Sequence, residues 1–339
     1  MRREFMLSLC ILSAGLLALA DVAKVGVLVL DDETGLPMEG VPVTGYFRIN
    51  SGWLAFKGGE PPNRDFASTD AEGRCRLRGK TNCGTMGVWV EDPPPGYYAP
   101  RRGWGGRRFD RKNLFGVWQP DNLVATVRLQ RVGRPVPLFV KFCKLNVGRD
   151  IGGVNGGRFA LDLLAGAWLP PFGTGLVADV EFTRHPREDR GVGVNGAGCR
   201  NASYRDAVMV RFPRAGDGLV ESRPEAGRRL RVRTAPEDGY RPEWRCWRGV
   251  DGRLKEESNH DENRCFCFRV RTRRDGEGRI VEAYYGKIYG DFLVYTGRGG
   301  IVCGVTFSYY LNPTPLDRNL EWDRKTNLCP DRFASEGLP

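Results

Sequence analysis

Glycine and proline set the first limit on this chain: 45 and 22 of them are spread through 339 residues. Each one punctuates regular structure, so the segments between them are short. Those segments are rich in Val, Phe, Tyr and Arg, and beyond residue 20 no long stretch repeats apolar residues at i, i+3, i+4 and i+7. A chain of this kind buries its apolar side chains by stacking short strands rather than by packing helices. An all-β protein is expected. At roughly 100 to 200 residues per domain the length predicts two domains, here residues 21–133 and residues 134–339.

The first residues read differently. Arg2 and Arg3 precede an apolar run from Phe5 to Ala20 that closes on Ala18-Leu19-Ala20. This is the pattern of a secretory signal peptide cleaved near Ala20. Leu9 before Cys10 is too large for a lipid-attachment site, and no later apolar run reaches the roughly 18 residues that span a bilayer. The mature protein is therefore expected to be secreted, periplasmic or at the cell surface, with no transmembrane segment.

Formal net charge is +11, nearly all of it from arginine, with acids interspersed. Such a balance favours acidic polymers, glycans that carry acid groups, or a membrane surface; export makes nucleic acid an unlikely partner. Ten cysteines, with Cys10 in the leader, leave an odd set: Cys75, Cys83, Cys143, Cys199, Cys246, Cys265, Cys267, Cys303 and Cys329. Disulfides are the default in an exported chain, and the odd thiol is left free or links to a partner. No C-x2-C pair announces zinc, and no metal or cofactor is expected.

The stretch STDAEGRCRLRGKTNCG, residues 68–84, brings three readings together. A phosphate-binding loop needs four residues between its glycines, whereas five separate Gly73 from Gly79. Asp70-Ala71-Glu72-Gly73 supplies turn chemistry, and Arg74, Arg76 and Arg78 then alternate with Cys75 and Leu77 as in a half-buried strand. Gly79 punctuates again, with Cys75 and Cys83 equally far on either side. Paired strands around it would oppose the two sulfurs, so a Cys75–Cys83 disulfide is expected.

VGVLVLDDETGLPMEGVPVTGYF from Val25, then TDAEGRCRL, then GVWVEDPPPGYY from Gly87 together resemble the carboxypeptidase regulatory-like domain, a transthyretin-like β-sandwich. The matching positions are Asp32 to Gly35, Pro37 to Val43, Thr69 to Gly73 and Pro94 to Tyr97. The resemblance implies a non-catalytic module attached to something else, and it brings no catalytic residues. Residues 50–66 depart from the pattern as an insertion, as do the cysteines. So does RRGWGGRRF from Arg101, where Trp104 among arginines has the form of a residue that stacks on a sugar. The strand from Asn122 closes this domain, and Arg134-Pro135-Val136-Pro137 reads as a short, stiff junction.

From Leu138 onward eight further segments alternate, enough for a second β-sandwich or jelly-roll-like domain. Asp275-Gly276-Glu277-Gly278 joins two of them as a hairpin. In the first of these strands Phe266, Phe268 and Val270 share one face while Cys267, Arg269 and Arg271 share the other. Arg229, Arg231 and Arg233 line up in the same way. Adjacent arginine faces would bind anions; arginines paired with neighbouring acids would look identical in sequence. The closing segment from Tyr309, with Trp322, reads as an irregular tail, and it resembles those of uncharacterised exported bacterial proteins.

Catalytic groups are scarce. His185 and His260 lie among charged loop residues, no G-x-S-x-G elbow occurs, and GVGVNG from Gly191 follows TRHPREDR rather than a buried strand, so it is a glycine loop. DAEG and DGEG fall short of a calcium loop. Trp168, Phe172, Asp179 and Glu181 gather near a Pro-rich bend, as a sugar site would require or as a packed tryptophan would. The sequence thus points to an exported, non-enzymatic binding or surface-assembly protein for glycans or polyanions. A carbohydrate-active hydrolase with its site in the second domain is the alternative, and an envelope-structural protein without a small ligand is the third reading.

Overall fold

The structure, a computed structural model, describes residues 22–49, 63–100, 104–147, 158–185, 187–222, 232–261, 264–296 and 303–329. The described residues hold strands and turns and no helix, so none contains a helix able to cross a membrane. The chain divides into two compact units, Met1–Val132 and Gly133–Pro339.

The first unit contains β1 (Val22–Asp31), β2 (Pro42–Phe47), β3 (Asn63–Ser68), β4 (Arg74–Lys80), β5 (Thr85–Trp89), β6 (Trp104–Arg107), β7 (Arg111–Lys112), β8 (Trp118–Gln119) and β9 (Val124–Leu129). One sheet runs β4-β1-β9, a second runs β3-β2-β5-β6, and β7 pairs with β8. Strand alternation determines what is buried: Val25, Val27 and Val29 of β1, with Leu77 and Val127, pack on Val43, Phe47 and Val88 of the other sheet. Each such side chain contributes about 1.5–3 kcal/mol when fully buried.

The motif residues close the turns of this sandwich. Thr69 accepts from the Val41 amide and donates to the Met38 carbonyl, which fixes the start of β2 against the turn into β4. Asp70 accepts from the amides of Glu72 and Arg74. Gly73 has φ +71°, and a Cβ there would lie 2.6 Å from the Val29 carbonyl oxygen. Asp31 and Tyr97, from separate motifs, meet: the Tyr97 hydroxyl donates to Asp31 at 2.6 Å, and Arg131 does so at 2.6 Å.

The expected Cys75–Cys83 disulfide is not formed, and no two described cysteines are bridged. Gly79 is not a turn. β4 continues through it, pairing Arg74 with Leu28 at one end and Lys80 with Val22 at the other. The chain reverses only at 81–84, where Gly84 has φ +67°. Extended chain from Cys75 to Lys80 covers about 16 Å, well beyond the roughly 7 Å a disulfide tolerates between Cα atoms. Gly79 serves close packing instead, because a Cβ there would lie 2.2 Å from the Phe47 ring.

The second unit contains β10 (Val136–Val147), β11 (Arg158–Asp162), β12 (Ala167–Trp168), β13 (Val180–Arg184), β14 (Glu188–Val194), β15 (Arg200–Arg211), β16 (Gly218–Ser222), β17 (Glu243–Val250), β18 (Glu256–Ser258), β19 (Cys265–Arg274), β20 (Ile280–Thr296), β21 (Cys303–Leu311) and β22 (Trp322–Asn327). One sheet is ordered β16-β19-β20-β21-β10-β22, and the other β12-β11-β13-β15-β17-β18 with β14 on β15. Phe182, Val210, Phe266, Phe268, Phe292 and Phe307 fill the space between them. Segment 134–137 is less a linker than an anchored strand start, since the Gly133 and Arg134 amides both donate to Glu321 at 2.8 Å. The tail is also more regular than expected: β22 pairs in parallel with β10, and Trp322 packs on Tyr310 with ring centroids 5.6 Å apart.

Candidate functional site

The end of the second sandwich where β15, β16 and β19 meet their loops holds a groove of about 560 Å³. Arg211, Arg214, Arg269 and Arg274 line it, with Asp217, Asp238, Glu243 and Tyr240. Arg269 is buried and structural. Its Nε and Nη2 donate to the Gly216 carbonyl at 2.9 and 2.7 Å, its Nη1 to the Glu237 carbonyl at 3.1 Å, and its guanidinium lies 4.6 Å from the Tyr240 ring centroid. One arginine thereby ties the 213–217 turn to the 236–240 turn and seats Tyr240 beside the groove. Tyr240 donates to the Pro236 carbonyl, and burial pushes its phenol above the ordinary range.

The exposed arginines differ in what they meet. Arg211 pairs with Glu243 at 3.7 Å. Arg274 donates only to the Gly278 carbonyl, and Arg214 makes no hydrogen bond or ion pair among the described residues. The acid in the field of Arg214 is Asp217, whose oxygens accept from the amides of Arg271 at 2.9 Å and Thr272 at 2.8 Å. Burial nonetheless raises the Asp217 carboxyl, against the pull of those amides and of Arg214. Two exposed guanidiniums therefore flank the Pro213–Gly216 loop with no direct ion pair among the described residues, Asp217 acting on Arg214 only through its field.

The arginines singled out in sequence do not form one anion face. Arg229 and Arg231 lie outside the described residues. Arg233 approaches Glu321 at 3.8 Å. Arg271, expected beside Arg269, is redirected by a bulge. Its φ is +54° and the β19–β20 register shifts between Val270 and Arg273, so its side chain leaves the Arg269 face. It reaches Asp162 at 2.6 Å and Asp179 at 2.9 Å on the opposite sheet. Burial raises the Asp179 carboxyl despite Arg271. Asp162, although burial works against its charge, is held below the usual range by the amides of Ala165, Leu176 and Val177 and by Arg271.

The aromatic-plus-acid set is likewise engaged in packing. Trp168 lies edge-on to Phe182 at 5.7 Å and Phe172 packs on Phe159 at 4.8 Å. Asp179 is taken by Arg271, and Glu181 by Arg158 at 2.7 Å. Trp104 is partly buried in the first core with the Arg108 guanidinium 4.7 Å from its ring centroid. His260 is not a free loop residue: it sits against Asp291, with Nδ1 at 3.8 Å. Among the described residues no group of His, Cys, Asp and Glu is arranged to hold a metal. Sequence reasoning missed Arg214 and Arg274 because their role depends on which acids the turns bring near, a property with no local signal.

No protein-family model and no curated protein matches the chain. Among solved structures, the chain is similar to the minor pilin GBS52 of Streptococcus agalactiae, at 17% identity over 35% of this chain and 49% of that one, with TM-score 0.24. It thus spans about half the pilin's length. The shaft pilin SpaA of Lactobacillus rhamnosus GG matches at 12% identity over 59% of this chain and 90% of the pilin, with TM-score 0.24. A DUF3823 family protein of Parabacteroides merdae matches at 10% identity over 86% and 100%, with TM-score 0.20. Likeness at this level assigns no function.

Proposed function

We propose that this chain is an exported, non-enzymatic binding protein that acts at the cell surface and takes an acidic polymer into the arginine groove of its second unit. The observation that supports this reading is the pair Arg214 and Arg274, exposed, close to one turn and without a direct ion pair among the described residues. An acid group laid across the Pro213–Gly216 loop would meet both guanidiniums, and arginine forks match carboxylate and sulfate geometry. The first unit then serves as the non-catalytic module that its motifs imply.

Calorimetric titration with polygalacturonate at low salt tests the assignment. The double variant R214S/R274S is expected to bind about tenfold more weakly or worse, which corresponds to about 1.4 kcal/mol. Both side chains are exposed, so folding is expected to be unchanged. Equal affinity of the variant and the parent protein would remove the groove from the account.

A further inference from the structure

The outer face of the β3-β2-β5-β6 sheet carries aromatic rings that the core does not use. Alternation in these strands sends Val43, Phe47, Val88 and Val90 inward, and so sends Tyr46, Phe66 and Trp89 outward. Register sets them in rows. Phe66 and Trp89 both pair with Thr44, from either side, while Arg64 and Gly87 both pair with Tyr46. Phe66 is 65% exposed, the largest fractional exposure of any described phenylalanine.

Two of the rings, Tyr46 and Trp89, are held in place. Tyr46 and Trp89 meet at 84° with centroids 5.0 Å apart, and the Arg64 guanidinium lies 4.8 Å from the Tyr46 centroid. The Tyr46 hydroxyl donates to Glu91. The six-membered ring of Trp89 lies over Gly87 so closely that a Cβ there would fall 1.8 Å from it. Glycine at this position is what lets the indole rest against the sheet. Thr44 is buried between the Phe66 and Trp89 strands.

From this arrangement we infer that the face is a carbohydrate site for a chain of neutral pyranose sugars. Apolar sugar faces, lined with C–H groups, pack on aromatic rings, while the hydroxyls at their edges need polar partners. Arg64 and Glu91, both exposed, stand beside the rings to provide them. Phe66 and Trp89 project from strands two apart in the sheet, about 9.6 Å between backbones. That span is wider than one sugar ring, so the patch fits a chain rather than a monosaccharide. Phe66 is exposed beside the half-buried rings of Tyr46 and Trp89, so the row presents apolar surface to solvent. The site belongs to the first unit and shares no residue with the arginine groove.

Affinity electrophoresis of the whole chain in gels containing hydroxyethylcellulose, at low and at high salt, tests the inference. Retardation that persists at high salt, and that falls about tenfold in W89A and in F66S, is the expected result. Phe66 is exposed enough that F66S is expected to melt with the parent, which separates lost binding from lost folding. Migration unaffected by the glycan, or retardation equal in the parent and both variants, would overturn the proposal. So would sedimentation showing a dimer that F66S converts to monomer, since the face would then be an interface between copies.

Discussion

Asp31 shows how one residue ties two motifs together. Its carboxylate accepts from the amides of Glu33 and Thr34, the Tyr97 hydroxyl and the Arg131 guanidinium. Burial opposes the charge, yet the Tyr97, Thr34, Arg131 and Glu33 hydrogen bonds together hold its carboxyl well below the usual carboxylate range. A depressed carboxyl contributes stability above its unfolded-state value and loses it as pH falls toward the folded one. The first unit is therefore expected to weaken below about pH 4 through this group. Asp31→Asn should cost about 1–3 kcal/mol at neutral pH, from a charge-assisted network left incomplete. The penalty should shrink in acid, as followed by thermal melts across pH. An equal deficit at every pH would mean that the charge itself contributes nothing. The sequence showed Tyr97 in one motif and the turn beginning at Asp32 in another, but the contact of Asp31 with Tyr97 across the sandwich depends on the β1–β9 pairing, which no local pattern displays.

At the scale of elements, alternation was the readable signal and its interruptions were not. The period of two placed Phe266, Phe268 and Val270 on one face, and that face is the one packed in the core. It misplaced Arg271, because a bulge adds a residue and turns the side chain to the other face of the sheet. It also stopped β4 at Gly79, because glycine marks turns and close packing alike; only the Phe47 ring decides between them. The aromatic row of Tyr46, Phe66 and Trp89 was available in principle from the same alternation, once the strands that hold them are known to be neighbours. Trp104 drew attention because arginines flank it, and those arginines include the one that covers its ring.

The bulge has a mechanical role in the second sandwich. Arg271 leaves β19 in one sheet and ends between Asp162 and Asp179, which flank β11 and β13 in the other. Arg271→Ala would leave two largely buried carboxylates without their cation, a change expected to cost about 3–5 kcal/mol. Asp179 is already raised by burial, and without Arg271 it would rise further. A raised carboxyl favours the folded state at low pH, so the deficit of the variant should be smaller near about pH 5 than near about pH 8. Urea unfolding at the two values measures this. A deficit that does not change with pH would show that the arginine acts through packing alone.

The whole molecule is a pair of β-sandwich units whose charged groups are mostly spent on holding turns and sheets together. Most described arginines of the second unit meet a carboxylate or a carbonyl, as Arg158, Arg205, Arg245 and Arg264 do. Net basic charge therefore overstates what is free to bind, and Arg214 and Arg274 at the groove are among the exposed arginines that form no ion pair among the described residues. Whether an anionic ligand is taken at all is tested most directly by retention of the intact chain on an immobilised acidic polysaccharide across a salt series from about 10 mM to about 1 M. The account predicts firm retention at the low end, and release as the screening length shrinks from about 30 Å to about 3 Å. Passage through the column without delay at the lowest salt would contradict it.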